Sequence, residues 1–514
     1  MRYAHAVDEV RAAEAALMAR LPEGTLMQRA AAGLAAVCAQ LLGGLYGSRV
    51  LLLVGSGDNG GDALYAGARL ARRGAHVTAA LAAQKTHPEG LADFRAAGGR
   101  VLDYARLESL LSPGEGSAPS SAARRAFEGT DLVIDGLTGI GGRGALRGLY
   151  GALVRALPEE AAVVACDIPS GVDADTGEVA DTAVRADVTV TFGTLKPGLL
   201  IDPGAAHAGV VELVDIGLTG LPEPAVIAPA TADVRPPRPE AETDKYRRGV
   251  VGVIAGGARF TGAALLSVGA ALRGGAGMVR FASAARVVAL VDARWPETVT
   301  TVLPEAAPGD DTEPDLDAVG RVQAWVVGPG LGVDARGERL VKATLRSEVP
   351  VLVDADGLTV LAGLPAGVRR ALLDRRAPTL LTPHAGELSR LLNVGRDQIE
   401  ARRLVHVRAA AAGLGVTVLL KGSTTLVADP GGQVRANLTG TPWLATAGSG
   451  DVLSGLAGAL LAQGVDAADA GAWAAHLHGL AARIAAAPRR GLAPAPITAE
   501  DVLAALPEAF AQLS

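Results

Sequence analysis

The stretch Arg49-Val50-Leu51-Leu52-Leu53-Val54, followed at once by Gly55-Ser56-Gly57-Asp58-Asn59-Gly60-Gly61-Asp62, decides how the first half of the chain is read. Five apolar residues in a row with no polar alternation predict a strand buried on both faces. The glycine-rich turn that follows, and then a helical pattern through about Arg73, give the strand–turn–helix unit of a parallel sheet. The same alternation continues with strands at 75–82, 131–135, 161–167, 187–192 and 209–214 and helices at 88–97 and 148–156. Upstream, residues 8–43 have helical spacing, with Val10, Leu17, Leu26 and Leu34 among Ala-rich turns. Leu111 to Ser120, rich in Ser, Pro and Gly, reads as a surface insertion.

A second α/β alternation begins beyond residues 219–244, where Pro222, Pro224, Pro229, Pro236, Pro237 and Pro239 crowd together. That composition predicts a stiff, extended linker. The strands expected after it lie at 249–255, 277–282, 323–327, 350–354, 379–381 and 416–420. Helices are expected at 261–274 and, long and Ala-rich, after Gly450. No short repeat relates the halves. The division expected is a domain at 1–218, a linker at 219–240 and a second domain at 241–514. At 514 residues the chain is too long for one ordinary core.

Composition narrows the partners. The net charge of −6 favours neither nucleic acid nor an anionic membrane. Aromatic residues are only 3%, so the cores rest on Ala, Val and Leu. Cys38 and Cys166 lie in apolar runs without metal-ligand spacing and read as buried thiols of a reducing compartment. Asp8, Glu9 and Glu14 interrupt any signal-peptide core, and apolar runs of spanning length are broken by glycines or charge, so a cytoplasmic protein is expected.

In the second half, Thr446-Ala447-Gly448-Ser449-Gly450-Asp451 opens a helix. Unpaired N–H groups at such a helix start form an anion site, suited to a phosphate that gains charge during reaction. Asp451, in the first turn, is placed to take a proton from a hydroxyl attacking that phosphate. A glycine-rich turn with Asp as a helix cap is the plainer alternative. Further polar turns follow other strands: Lys421-Gly422-Ser423-Thr424-Thr425, Thr382-Pro383-His384-Ala385-Gly386-Glu387, Gly328-Pro329-Gly330-Leu331-Gly332 and Asp354-Ala355-Asp356. Ligands of parallel α/β sheets gather at these carboxyl ends. The Walker spacing is absent, which excludes a P-loop enzyme.

In the first half, Asp135-Gly136, Asp167-Ile168-Pro169-Ser170-Gly171 and Thr194-Leu195-Lys196 follow three more strands. Asn59, Asp135 and Ser170 are oxygen-bearing groups at strand ends. They suit a hard cation, or simply cap helices and tie loops together.

Together, and in this order, the second-half motifs, with Thr261-Gly262-Ala263-Ala264 and Ala271-Leu272-Arg273-Gly274-Gly275, resemble the ADP-dependent NAD(P)H-hydrate dehydratase family, of ribokinase-like fold, over about residues 240–510. The resemblance implies that Lys421, Gly422, Ser423, Thr424, Thr425 and Gly450 contact the adenine nucleotide. Ala263, Gly330, His384 and Asp451 would contact the hydrated nicotinamide. The first-half loops resemble the NAD(P)H-hydrate epimerase domain over about 1–218, a Rossmann-like three-layer α/β fold. That resemblance implies K+ at Asn59, Asp135 and Ser170. It implies substrate contacts at Asp58, Asn59, Gly60, Gly61, Asp62, Gly139, Ile140, Gly141, Gly142, Arg143, Gly144, Ala145, Tyr150 and Asp167, with Asp167 as candidate acid/base. Asp58 stands where the family usually carries Asn, and Ala63 where it often carries Gly. The implied activity is repair of hydrated nicotinamide cofactors, NAD(P)HX. R and S epimers are interconverted, and the S form is dehydrated with ADP as co-substrate and Mg2+ accompanying it. A homo-oligomer is expected, with no nucleic-acid or membrane partner. The alternative is a ribokinase-like vitamin or sugar kinase carrying a non-catalytic nucleotide-binding module.

Overall fold

The computed structural model describes residues 1–111, 126–304, 314–487 and 493–513. The expected surface insertion, apart from Leu111, lies outside them. The chain divides into two compact units, Tyr3–Val226 and Ile227–Ser514, the latter with Met1–Arg2. The segment read as a linker is thereby divided: its part from Ile227 belongs to the second unit, where Val234 is buried and Arg238 donates to the Leu513 carbonyl at 2.6 Å.

The strands, in chain order, begin with β1 (Arg2–Ala4), β2 (Arg49–Val54), β3 (His76–Leu81), β4 (Arg100–Leu102), β5 (Leu132–Gly136), β6 (Ala162–Cys166), β7 (Val188–Phe192) and β8 (Val210–Val214). In the first unit a sheet runs in the order β4-β3-β2-β5-β6-β7-β8, every pair parallel. Its two faces are both packed: Val50, Leu52 and Val54 of β2 enter one core, Leu51 and Leu53 the other. That is why β2 reads as an unbroken apolar run. The helical pattern at 8–43 resolves into two helices, Val7–Met18 and Thr25–Leu42, because Pro22 and Gly24 interrupt it. Thr25–Leu42 is the one described helix long and apolar enough to cross a membrane, and its Ala30, Ala31, Leu34, Ala35 and Cys38 face the core.

The remaining strands are β9 (Val226–Ala228), β10 (Val250–Ile254), β11 (Met278–Ser283), β12 (Val299–Val302), β13 (Ala324–Val327), β14 (Val351–Val353), β15 (Thr379–Leu381), β16 (Thr417–Leu420), β17 (Thr425–Ala428) and β18 (Val434–Asn437). The order β18-β17-β16-β15-β14-β13-β10-β11-β12 is parallel from β16 through β12 and antiparallel at β16–β17–β18. The α/β architecture with mainly parallel sheets, all-parallel in the first unit, is therefore as expected. The hairpin β17–β18 is an addition that the helix–strand alternation did not announce.

Both sheets contain one place where the chain reverses its direction of travel. From β2 it runs outward to β3 and β4, then returns to β5 on the other side. From β10 it runs to β11 and β12, then returns to β13. Loops leaving adjacent strands in opposite directions open a crevice there. Those two switch points position the two candidate sites.

Candidate active sites

At the β2/β5 switch, the helix Asp58–Arg72 begins at Asp58, so Asp58 to Asp62 form its first turns and are not a loop as the glycines suggested. Close approach explains the glycines. A Cβ on Gly60 would lie 2.5 Å from the Gly55 carbonyl oxygen, and one on Gly61 would press on His87 and Met27. Ala63 is fully buried, and a Cβ on Gly136 would meet it at 2.7 Å, so this departure from the family pattern is core packing.

The helix start delivers Asn59 to the ends of β5 and β6. Its Nδ2 donates to the carbonyls of Thr138 (3.0 Å) and Cys166. Asp135, wholly buried, accepts from Ser170 Oγ at 2.7 Å, Ser170 N at 2.8 Å and Leu137 N at 3.2 Å. Ser170 Oγ also accepts from Thr138 N at 2.9 Å. Burial pushes the Asp135 carboxyl up to about 6 despite these donors. Asn59, Asp135 and Ser170 are thus brought into one buried knot of oxygens, with the carbonyls of Thr138 and Cys166 added to it. Among the described residues, no group of three His, Cys, Asp or Glu side chains could hold a metal ion.

Asp167 sits next to this knot in the left-handed region, at φ 65°. Its Oδ1 accepts from Lys196 Nζ (2.5 Å), Thr191 Oγ1 (2.9 Å) and Phe192 N (3.2 Å). Lys196 is buried and also donates to Thr191 Oγ1 and the Phe192 carbonyl, both at 3.0 Å. On the loop after β5, Gly139 lies so close to Asn59 that a Cβ would be 2.5 Å from its Oδ1, and Tyr150 Oη accepts from Ser56 N at 3.2 Å. Arg143 is exposed and reaches Asp175 at 3.6 Å. Ile140 packs against the apolar cluster that includes Val7 and Ile168; Gly141 and Gly144 are exposed, Gly142 and Ala145 half-buried. Asp58 and Asp62 line a cavity of about 840 Å³ with Glu14, Tyr65, His87 and Phe192. Glu14 and the role of Lys196 were not read from the sequence. Lys196 was visible as a rare lysine after a strand; Glu14 carried no local signal.

At the β10/β13 switch, Gly256 N donates to the Pro329 carbonyl at 2.8 Å and joins the two loops. Gly330, at φ 61°, lies against Phe260 and Ala263, where a Cβ would meet the Ala263 Cβ at 2.9 Å. The helix Ser449–Ala462 starts behind Gly448, whose φ of 88° and 2.5 Å approach to Leu266 exclude a side chain. Asp451 occupies its first turn and is tied through its carbonyl to Ser267 Oγ at 3.2 Å.

Lys421, in the turn between β16 and β17, donates to Asp354 Oδ1 at 2.7 Å and lies 3.8 Å from Glu387. Asp354 accepts a further bond from Ser454 Oγ at 2.7 Å. A Cβ on Gly450 would lie 3.5 Å from Lys421 Nζ. Burial, then the neighbouring Asp354 charge, and further Asp356 and Glu387, push the Asp451 carboxyl up to about 7 against the pull of Lys421. Burial opposes the Lys421 charge, yet Asp354, Glu387 and Asp451 hold its pKa above the ordinary value.

His384 caps the helix Ala385–Leu392. Its Nδ1 accepts from Gly386 N (2.9 Å) and Glu387 N (3.3 Å), while Glu387 accepts from His384 N at 2.8 Å. Burial lowers its pKa, so the ring is neutral with Nε2 carrying the proton. Lys421, Gly450, His384 and Asp451 are therefore gathered through Asp354 and Glu387, two carboxylates quoted in motifs without a role. Arg403 was missed: it is buried under the Lys421–Thr424 turn and donates to the carbonyls of Leu420 (3.3 Å), Lys421 (2.9 Å) and Thr424 (3.2 Å). Of the turn's other members, Gly422 and Ser423 are exposed, Thr424 is buried, and Thr425 Oγ1 donates back to the Gly422 carbonyl at 3.3 Å.

Residues 251–503 match the family model described as NAD(P)H-hydrate dehydratase, and residues 23–198 match the YjeF-related protein N-terminus. The bifunctional NAD(P)H-hydrate repair enzyme Nnr of Mycobacterium leprae is 46% identical over 497 residues, 95% of each chain. That of Moorella thermoacetica is 37% identical over 457 residues, 86% of this chain and 84% of its own. A solved structure titled as the ADP/ATP-dependent NAD(P)H-hydrate dehydratase of Bacillus subtilis is 27% identical, covers 55% of this chain and 96% of its own, and superposes with a TM-score of 0.48. On the strength of full-length identity to these curated relatives and both family models in order, the chain belongs to the bifunctional NAD(P)H-hydrate repair enzymes, an epimerase domain followed by a dehydratase domain.

Proposed function

We propose that the second unit removes the hydrate from S-NAD(P)HX at the expense of ADP, while the first interconverts the R and S forms. The observation that carries the dehydratase reading is Asp451, a half-buried carboxylate in the first turn of a helix whose glycine-rich start adjoins Lys421. Hydroxide is a poor leaving group at C6 of the hydrated ring. Asp451 takes the proton of the C6 hydroxyl as its oxygen attacks the β-phosphorus of ADP, and the bond to AMP breaks. The amides at Gly448–Gly450 and the Lys421 ammonium stabilise the charge that grows on the phosphoryl group. The C6–O bond then breaks with phosphate as leaving group, the N1 lone pair forming N1=C6. Loss of a proton from C5 restores the reduced ring. Mg2+ enters with the nucleotide, on its phosphates, as part of the co-substrate.

In the first unit the donor set of Asn59, Asp135, Ser170 and the Thr138 and Cys166 carbonyls is all oxygen and includes a buried carboxylate. That chemistry fits K+. The Asn59 amide nitrogen now sits at hydrogen-bond distance from both carbonyls, so these residues would hold the ion after rotation of that amide. A bound cation would offset the Asp135 charge and fix the loops that carry Asn59, Thr138 and Ser170. Asp167, ion-paired to Lys196, is the acid/base proposed for epimerisation.

Asp451→Asn tests the reading. Purified protein with S-NAD(P)HX and ADP should lose about 10²-fold or more in the rise of NAD(P)H absorbance, the ordinary contribution of a general base. R–S interconversion should continue. Retained dehydration would remove Asp451 as the base, and a phosphorylated product in place of AMP, phosphate and NAD(P)H would make the unit a kinase.

A further inference from the structure

We propose that Asp62 is the proton donor that expels the C6 hydroxyl during epimerisation, and that Glu14 and Asp58 beside it stabilise the cationic ring so formed. The inference rests on the epimerase reading of the first unit. It gives the reaction a second carboxyl, distinct from Asp167.

The cavity of about 840 Å³ is lined by five acids, Glu14, Glu23, Asp58, Asp62 and Glu89, and by no Lys or Arg among the described residues. Such a wall disfavours the phosphates of a dinucleotide and favours a group that becomes positive. Asp62 is 7% exposed, and its Oδ1 is buried without a hydrogen-bond partner. An ionised carboxylate in that position would carry a large uncompensated cost, whereas the protonated acid carries a donor ready for a ligand. Burial first, then the nearby charges of Asp167, Asp58 and Glu14, raise its pKa well above the ordinary carboxylate range. Burial raises Glu14 as well. Asp167 differs in kind, since Lys196, Thr191 and the Phe192 amide all donate to it. Of the two carboxyls, one is met by three donors and the other leaves a buried oxygen without any, an asymmetry that divides them into base and acid.

The step balances. Asp62 gives its proton to the C6 oxygen, the C6–O bond breaks, and water departs. The N1 lone pair forms N1=C6, leaving a planar cation facing Glu14 and Asp58. Water adds to the opposite face and passes its proton to Asp167, giving the other epimer. Exchange with solvent returns both carboxyls to their starting states, and no atom is gained or lost.

The test uses the full chain and follows R and S forms by chromatography. In Asp62→Asn the turnover number for interconversion should fall about 100-fold, with KM changed by less than about threefold, as expected for a lost general acid. ADP-dependent dehydration of the S form by the same sample reports an intact chain. Asp62→Glu, which restores a carboxyl, should recover at least a tenth of the wild-type turnover number. Full turnover in Asp62→Asn, a loss confined to KM, or an Asp62→Glu enzyme as inactive as Asp62→Asn would overturn the assignment. If the wild-type chain itself does not accelerate interconversion, the epimerase reading fails, a result separable from failure at Asp62 alone.

Discussion

As the proposed base, Asp451 would act only when ionised, and burial with the neighbouring Asp354 charge pushes its carboxyl up to about 7. The dehydratase kcat/KM should therefore rise through pH 7 and level above it, in contrast to the limb near 4 of an ordinary carboxylate. Asp356 is one of the charges that raise it, so Asp356→Asn should move this limb to lower pH, measured as the pH profile of NAD(P)H formation. A limb unmoved by that change would show that another group titrates. The proposed cation site makes a separate prediction. K+ should raise the unfolding temperature of the first unit over Na+ at equal ionic strength, and Asp135→Asn should abolish the difference, read by calorimetry. Equal responses of wild type and variant would remove Asp135 from the site.

At the scale of elements, the Ser449–Ala462 helix owes its position to glycines. A Cβ on Gly455 would lie 2.1 Å from the Ser267 carbonyl oxygen, and one on Gly458 would lie 2.1 Å from Val326. Gly455 lets the helix cross the Thr261–Arg273 helix, and Gly458 lets it settle on β13. Gly455→Ala must push two backbones apart, at a cost of about 1–3 kcal/mol, as for other overpacked sites. Thermal unfolding should show a lower transition for the second unit, with dehydratase activity lost on mild heating while epimerisation persists. The same economy brings the Asp58–Arg72 helix against the β2 end through Gly60. These helix starts were legible as glycine-rich stretches, one after an apolar run and the other opening a helix. Their extent was not, because Gly in a sequence announces freedom, and only the neighbour at 2.5 Å reveals that the residue is helical and pressed against backbone.

For the whole molecule, the two activities should be complementary. Given a mixture of both epimers and ADP, wild type should convert all of it to NAD(P)H. Asp451→Asn should convert both forms about 10²-fold or more slowly, and Asp62→Asn should slow sharply once the S form is consumed. Uniform, complete conversion by Asp62→Asn at the wild-type rate would remove Asp62 from the epimerisation step, whereas a wild-type chain that stalls once the S form is consumed would contradict a division of labour between the units. The sequence by itself determined the α/β class, the residues at strand ends, including Lys421, His384, Asp135 and Asp167, and the helix start that carries Asp451. It could do so because buried parallel strands need unbroken apolar runs and because ligand chemistry collects where such strands stop. Tertiary structure alone decided which of these meet. Glu14 reaches the cavity from the first helix, Lys196 turns back to clamp Asp167, and Asp354 and Glu387 join Lys421 to Asp451. Strand order sets those meetings, and strand order follows from how the connections cross the sheet, a property that no local spacing records.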